Sequence, residues 1–411
     1  MGLSGALALL RRHRRFRALW GAVALSYIGS GAANTALTLY VQQTRGTGVA
    51  VAVFLLASNL PRLLGSLAGG LVDRIDLRAL MVGCDVGQAV LYALVATLPS
   101  FGILIALTAL ATVLQTLYNP ARTAIVPDLV EPEELIGANA LLGAATNLYV
   151  AVGPAIGALL FAMIGPGAAL LVNAATFLGS AALTRLLPLT PPPEGNEPEA
   201  LLAAAATGAR FVWRDAVLRA LTASIFLLVA FIAVDNVALV FLVRETLGGS
   251  AFAYGVVEAV FGIGMLVGTF WIIRGRGGRW PATRLYVFAC ALSVSGSVGG
   301  AIAPSVAVLA PFEALAGAGN SIEVVAMETI VQQRTPRGMI GRVYGFVSSL
   351  TWFGLGISTG LGGLLVDATS PRLAFAVASV GGLLTVLAVA PTMLRAPSPT
   401  TAAAGTAVDL R

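Results

Sequence analysis

A helix needs about 20 apolar residues to cross a hydrocarbon core roughly 30 Å thick. This chain of 411 residues supplies that length repeatedly. Apolar runs occupy residues 18–41, 49–72, 79–98, 102–119, 139–163, 168–187, 217–243, 251–273, 283–303, 306–328, 343–366 and 373–394, with short polar turns between them. Charged residues make up only 11% of the sequence, less than half the roughly 25% of a soluble protein. The expected fold is therefore an all-α membrane protein with twelve transmembrane helices.

All 25 basic residues are arginine. Without lysine the chain has neither the residue that holds nucleotide phosphates in a Walker loop nor the one a Schiff base needs. The lone histidine, His13, lies among Arg11, Arg12, Arg14 and Arg15 and reads as solvated. The two cysteines, Cys84 and Cys290, fall inside apolar runs and read as small core residues. No metal site, cofactor or catalytic constellation is expected, so the chain does not read as an enzyme. The first apolar run exceeds the core of a signal peptide and reads as an uncleaved span.

Arginine placement sets the orientation. With the N-terminus inside, 21 arginines fall on the cytoplasmic side, three outside, and one, Arg62, within the membrane. The positive-inside rule then makes both termini cytoplasmic. The net charge of +6 reads as anchoring against anionic lipid, not as nucleic-acid binding.

Residues 188–215 form the longest polar interruption. They open with Pro191, Pro192 and Pro193 and turn into an amphipathic segment ending at Trp213 and Arg214. The expected domains are an N-terminal six-helix bundle (1–187), a cytoplasmic linker with an amphipathic helix (188–215), a C-terminal six-helix bundle (216–395) and a cytoplasmic tail (396–411). The halves echo each other at an offset of about 205 residues: Arg78 and Cys84 correspond to Arg284 and Cys290, and Ile125-Val126 to Ile330-Val331. Two pseudo-symmetric halves place a substrate path between them.

The turn between the second and third runs carries Gly69, Asp73, Arg74, Asp76 and Arg78. This turn resembles the signature of the major facilitator superfamily. Asn119-Pro120-Ala121-Arg122, the Pro127-Asp128-Leu129-Val130 that follows, and Gly341-Arg342-Val343 are similar to loops of its macrolide-efflux-like and enterobactin-exporter-like branch. The resemblance implies a gating latch of Gly69, Asp73, Arg74, Arg78 and Asp85, with Asp73 facing the start of the eleventh span. It also implies an antiporter-type packing motif at Gly153, Pro154 and Gly157, and a monomer in a bacterial-type cell membrane. Asp76 stands where many members have glycine, and the fourth span lacks the arginine common in proton-coupled exporters.

Charges inside spans are costly and mark function. Asp235, Glu258 and Glu313 lie at similar depths and read as candidates for proton coupling. Arg62 is the mid-membrane cation. Ser30, Asn34, Gln115, Tyr118 and Asn147 are uncharged candidates for hydrogen bonding to substrate. The leading expectation is a secondary transporter that exports an amphiphilic small molecule, a drug or natural product, in exchange for protons. Apolar walls with a few acids suit a lipophilic, cationic compound. An importer or uniporter on the same fold, or a non-transporting receptor or assembly protein, are the alternatives.

Overall fold

The computed structural model describes residues 9–64, 76–98, 100–131, 134–188, 201–273, 280–336 and 339–396, and their regular structure is helical throughout. Nine helices among the described residues are long and apolar enough to cross a membrane. The chain divides into two compact units, residues 1–198 with 249–259, and residues 199–248 with 260–411.

The N-terminal unit opens with α1 (Arg14–Arg45), which stops where Gly46 turns into the left-handed region at φ 63° and bonds back to Gln42. Thr47 then caps α2 (Gly48–Asn59) by accepting from the Ala50 amide, and a 3-10 turn (Leu60–Leu64) carries Arg62. Helix α3 (Leu77–Val95) starts at Asp76, whose carboxylate accepts from the Ala79 amide at 2.7 Å. The aspartate that departs from the family glycine thus satisfies an otherwise orphaned helix N–H. Helix α4 (Phe101–Ile125) follows.

Helices α5 (Leu135–Ala151) and α6 (Gly153–Thr184) meet at Val152, just before Pro154, which has no N–H to continue the ladder. A second break falls at Gly165, with φ 79° and ψ 170°. Only glycine adopts that backbone readily. It divides the 48-residue apolar stretch Gly137–Thr184 into two lengths, each able to span.

Close backbone approach sets the packing of this unit. A Cβ on Gly153 would lie 2.7 Å from the Gly31 Cα, and one on Gly157 would lie 2.7 Å from the Ala32 Cα. The motif expected to pack helices tightly therefore seats α6 against α1. Small residues allow such contact where lipid supplies no hydrophobic drive for association.

His13 is not solvated as the sequence suggested. Its Nε2 lies 2.7 Å from Glu134, and Arg12 bridges Glu131 and Glu134 at 3.1 and 3.3 Å. Removal from water works to raise the Glu134 pKa. The Glu131 amide, His13 and Arg12 outweigh that and hold the carboxyl below its ordinary value.

In the C-terminal unit, α7 (Leu201–Arg214) leaves Trp213 exposed and brings Gly208 against the Arg342 carbonyl. Asp215 caps α8 (Ala216–Ile232), accepting from the Val217 and Leu218 amides at 2.8 and 2.9 Å, and pairs with Arg334 at 3.3 Å. The path bends at Ala233–Val234, enters the short α9 (Asp235–Phe241) and ends in a π-turn (Leu242–Thr246). Helices α10 (Ala251–Ile273), α11 (Ala282–Ile302), α12 (Val306–Arg334), α13 (Ile340–Ala368) and α14 (Pro371–Leu394) complete it. From Val260 onward α10 packs on α12 through small residues. A Cβ on Gly264 would lie 2.8 Å from the Ala314 carbonyl carbon, and one on Gly317 would lie 2.8 Å from the carbonyl carbon of Phe261.

Candidate substrate cavity and buried carboxylates

A cavity of about 160 Å³ lies wholly within the N-terminal unit. Helix α1 contributes Tyr27, Ser30 and Asn34, and α2 with its 3-10 turn contributes Phe54, Ser58 and Arg62. Gln88 and Tyr92 come from α3, and Thr146 and Tyr149 from α5. Helix α4 presents Thr108, Thr112, Gln115 and Asn119. Their spacing of four, three and four residues makes one continuous helix face.

Internal hydrogen bonds hold these groups. Thr108 and Thr112 donate to carbonyls one turn back at 2.8 and 3.0 Å, so the hydroxyls are satisfied without bending to each other. The Tyr27 hydroxyl donates to Asn119 at 2.9 Å, and Gln115 donates to the same Asn119 oxygen at 3.4 Å. Arg62 is the charged residue among the described lining residues and interacts with the Tyr149 hydroxyl. Behind Tyr27 lies Arg122, its guanidinium carbon 5.8 Å from the ring centroid. Nε and Nη1 of Arg122 are buried and meet no acceptor among the described residues.

The acids occupy two other places. Glu258, on the part of α10 that packs in the N-terminal unit, accepts from Thr35 at 2.8 Å and Tyr254 at 2.9 Å. Tyr149 lies within electrostatic reach of both Glu258 and Arg62. In the C-terminal unit, Ser297 donates to Asp235, whose second oxygen is buried and meets no partner among the described residues. Glu313 packs beside Gly296 and is close enough to Asp235 for their charges to interact. One turn back along α11, Ser293 donates to Glu323 at 3.1 Å. Asp235, Glu313 and Glu323 therefore gather along residues 293–297 of α11.

The three acids expected at one level do not share one set of partners. Glu258 bonds residues of the N-terminal unit, whereas Asp235 and Glu313 neighbour each other in the C-terminal unit. Depth along a span is readable from sequence; the side of the helix on which an acid lies is not.

Among the sequence candidates, Ser30, Asn34, Arg62 and Gln115 line the cavity. Tyr118 and Asn147 do not. Tyr118 is 1% exposed in the core, its hydroxyl beside Asp85 and Ser180, and it is Thr146 and Tyr149 that α5 offers to the cavity. Asp85 is also 1% exposed and accepts from Ser180 at 2.8 Å, which buries it against α6. Arg78 donates to the Arg185 and Leu187 carbonyls just beyond the end of α6. Gly69, Asp73 and Arg74 lie outside the described residues. Gly153, Pro154 and Gly157 pack against other backbone, Pro154 at Gly255 of α10. Sequence reasoning missed Tyr27, Gln88, Asn119, Arg122 and Tyr149. The polar stripe along α4 would have pointed to Asn119.

The Major Facilitator Superfamily profile matches residues 19–350 and 229–409. An uncharacterized MFS-type transporter of Bacillus subtilis, YfiS, is 27% identical over 355 residues, 83% of this chain and 84% of that protein. The multidrug efflux pump Tap of Mycolicibacterium fortuitum is 31% identical over 207 residues, 47% of this chain and 51% of the pump. Among solved structures, a point mutant of the nucleoside transporter NupG superposes with a TM-score of 0.79 at 12% identity, covering 93% of this chain and all of the other.

Proposed function

The chain belongs to the Major Facilitator Superfamily, and from that premise we propose that it is a secondary transporter exporting an amphiphilic small molecule in exchange for protons. The observation that carries this reading is a polar internal cavity combined with half-buried and buried carboxylates inside apolar helices. Placing a carboxylate in a membrane span costs about 2.5–3.5 kcal/mol unless it is paired or hydrated, so such groups mark substrate and ion pathways. The likeness to a multidrug efflux pump over about half the chain supports export, as do the loops similar to the macrolide-efflux and enterobactin-exporter branch. Asp235, Glu258 and Glu313 are assigned to proton coupling. Asp73, Arg74 and Arg78 are assigned to the gate, and Gly153, Pro154 and Gly157 to close packing around it.

Twelve spans follow if Arg14–Arg45 and the helix beginning at Gly48 are counted with the nine, and the 48-residue stretch is divided at Gly165. The arginine skew supports cytoplasmic termini in a bacterial-type cell membrane.

A proteoliposome assay tests the reading. An inside-acid pH gradient should drive uptake of the exported compound, and Asp235→Asn, Glu258→Gln or Glu313→Gln should uncouple uptake from the gradient. Gradient-driven transport surviving in all three variants rules out coupling through these acids. Flux that ignores the gradient makes the protein a uniporter, and no flux across a broad panel makes it a non-transporting membrane protein.

A further inference from the structure

We propose that the N-terminal cavity is an oxyanion-recognition site, built for the carboxylate or phosphate end of a substrate carrying a single ring. That this ligand is cargo rests on the transporter reading; recognition itself does not.

The chemistry of the lining carries the proposal. Among the described residues its charged member is Arg62, and none of those lining it is a carboxylate. The Gln88 amide adds a neutral donor, since only one of its two N–H groups is held by the Cys84 carbonyl. A guanidinium presents a rigid fork of N–H groups that matches an oxyanion, and such charge-assisted bonds are roughly twice as strong as neutral ones. Arg122 strengthens the positive field from behind Tyr27. Two of its buried nitrogens meet no acceptor among the described residues, so its charge is not offset by a bonded carboxylate there. The nearby acids stand outside the described lining, so they weaken this field without placing a carboxylate oxygen in the cavity. Asp85 is turned to Ser180, and both oxygens of Glu258 already accept from hydroxyls.

Volume and shape define the rest of the ligand. A cavity of roughly 150 Å³ is enough for benzene, and this one measures about 160 Å³. Tyr27, Phe54, Tyr92 and Tyr149 supply flat apolar surface around that space. A cationic drug head, by contrast, would meet Arg62 with no acid among the described lining residues to receive it.

The test uses the purified full-length protein in zwitterionic phosphatidylcholine nanodiscs, with binding followed by isothermal titration. The probes share one ring and differ in head group: benzoate, phenyl phosphate, benzamide and benzylammonium. At least one anion should bind about tenfold or more tighter than the amide and the ammonium, the margin expected of a charge-assisted bond. Arg62→Gln should abolish that preference, Arg62→Lys should preserve it at weaker affinity, and Arg122→Gln should reduce it several-fold. Matched unfolding midpoints would show that the variants remain folded. Equal affinity for all four probes, preference for benzylammonium, or no anion binding at millimolar concentration overturns the proposal. So does loss of benzoate binding when phosphatidylglycerol replaces phosphatidylcholine, because a lipid headgroup is then the occupant. If the preference holds while flux is absent, the transport reading fails and the site stands. Flux without the preference does the opposite, removing the site and keeping the transporter.

Discussion

Alanine at position 157 should damage this protein although it adds only a methyl group. Gly157 lies on α6 with its missing side chain directed at α1. The new Cβ would sit 2.7 Å from the Ala32 Cα and 2.8 Å from its carbonyl carbon. Ordinary contact begins near ~3.5 Å, so the two helices must separate by most of an ångström. Because the obstacle is backbone, no rotamer change can absorb the strain. Overpacking of this kind costs about 1–3 kcal/mol, roughly a 5- to 150-fold shift in the folded-to-unfolded ratio. Gly143 of α5 supplies the internal control, since a Cβ there meets nothing within 4 Å. Gly143→Ala should be neutral or stabilise by about 0.5–1 kcal/mol, because alanine restricts the unfolded chain and suits a helix. The assay is reversible unfolding in mixed micelles of rising denaturing-detergent fraction, followed by tryptophan emission. Gly157→Ala should move the transition to lower fraction and Gly143→Ala should not. Equal shifts in the same direction would refute the idea that backbone contact, rather than helix propensity, explains this glycine.

Asp215→Ala removes both the two-bond cap of α8 and the pair with Arg334. It should cost about 1–2 kcal/mol in the same titration, whereas Asp215→Asn keeps the cap and should cost under ~1 kcal/mol. The lowered pKa of Glu134 gives the contact with Arg12 and His13 a definite pH dependence. Its contribution is present above the carboxyl's unfolded pKa and is lost as pH falls through the folded value. Limited proteolysis of the segment near Arg12 should therefore accelerate on acidification, and Glu134→Gln should remove that acid-dependent step. For the gate, Asp73→Asn should raise labelling of a cysteine introduced at Gly345, where a side chain meets nothing within 4 Å. Unchanged labelling would reduce the charged turn to a solvated loop.

Much of the architecture was legible because the membrane makes one property, apolar length, almost decisive. The runs at residues 283–303 and 373–394 correspond within a residue or two to Ala282–Ile302 and Pro371–Leu394. The breaks were less visible. Gly165 and Pro154 could be named from sequence, but the bend at Ala233–Val234 carries no glycine or proline signal. The cavity was half legible for a related reason. Intramembrane polarity flagged Arg62, Asn34 and Gln115, yet tyrosine passes as core or interface, and only the fold separates buried Tyr118 from cavity-lining Tyr27 and Tyr149. His13 was misread because a contact across more than a hundred residues leaves no local trace.

The division of charge between the units also distinguishes two kinds of coupling. Asp235 bonds Ser297 and neighbours Glu313 within the C-terminal unit, and neutralising it is expected to act on an oxyanion bound at Arg62 by biasing conformations. Glu258 is different, because Tyr149 lies within electrostatic reach of both it and Arg62. Its negative charge competes directly with an incoming anion for the field of that guanidinium. Glu258→Gln should therefore tighten benzoate binding by on the order of 1 kcal/mol, roughly fivefold, as expected for a partly screened charge at that remove. Asp235→Asn should leave binding within about twofold of the parent, because a conformational bias of under ~0.5 kcal/mol changes affinity no further. Titration of both variants in the same nanodiscs decides the matter. Equal tightening in the two would show that the acids act through one shared equilibrium, and no change in Glu258→Gln would remove that residue from the electrostatics of the cavity.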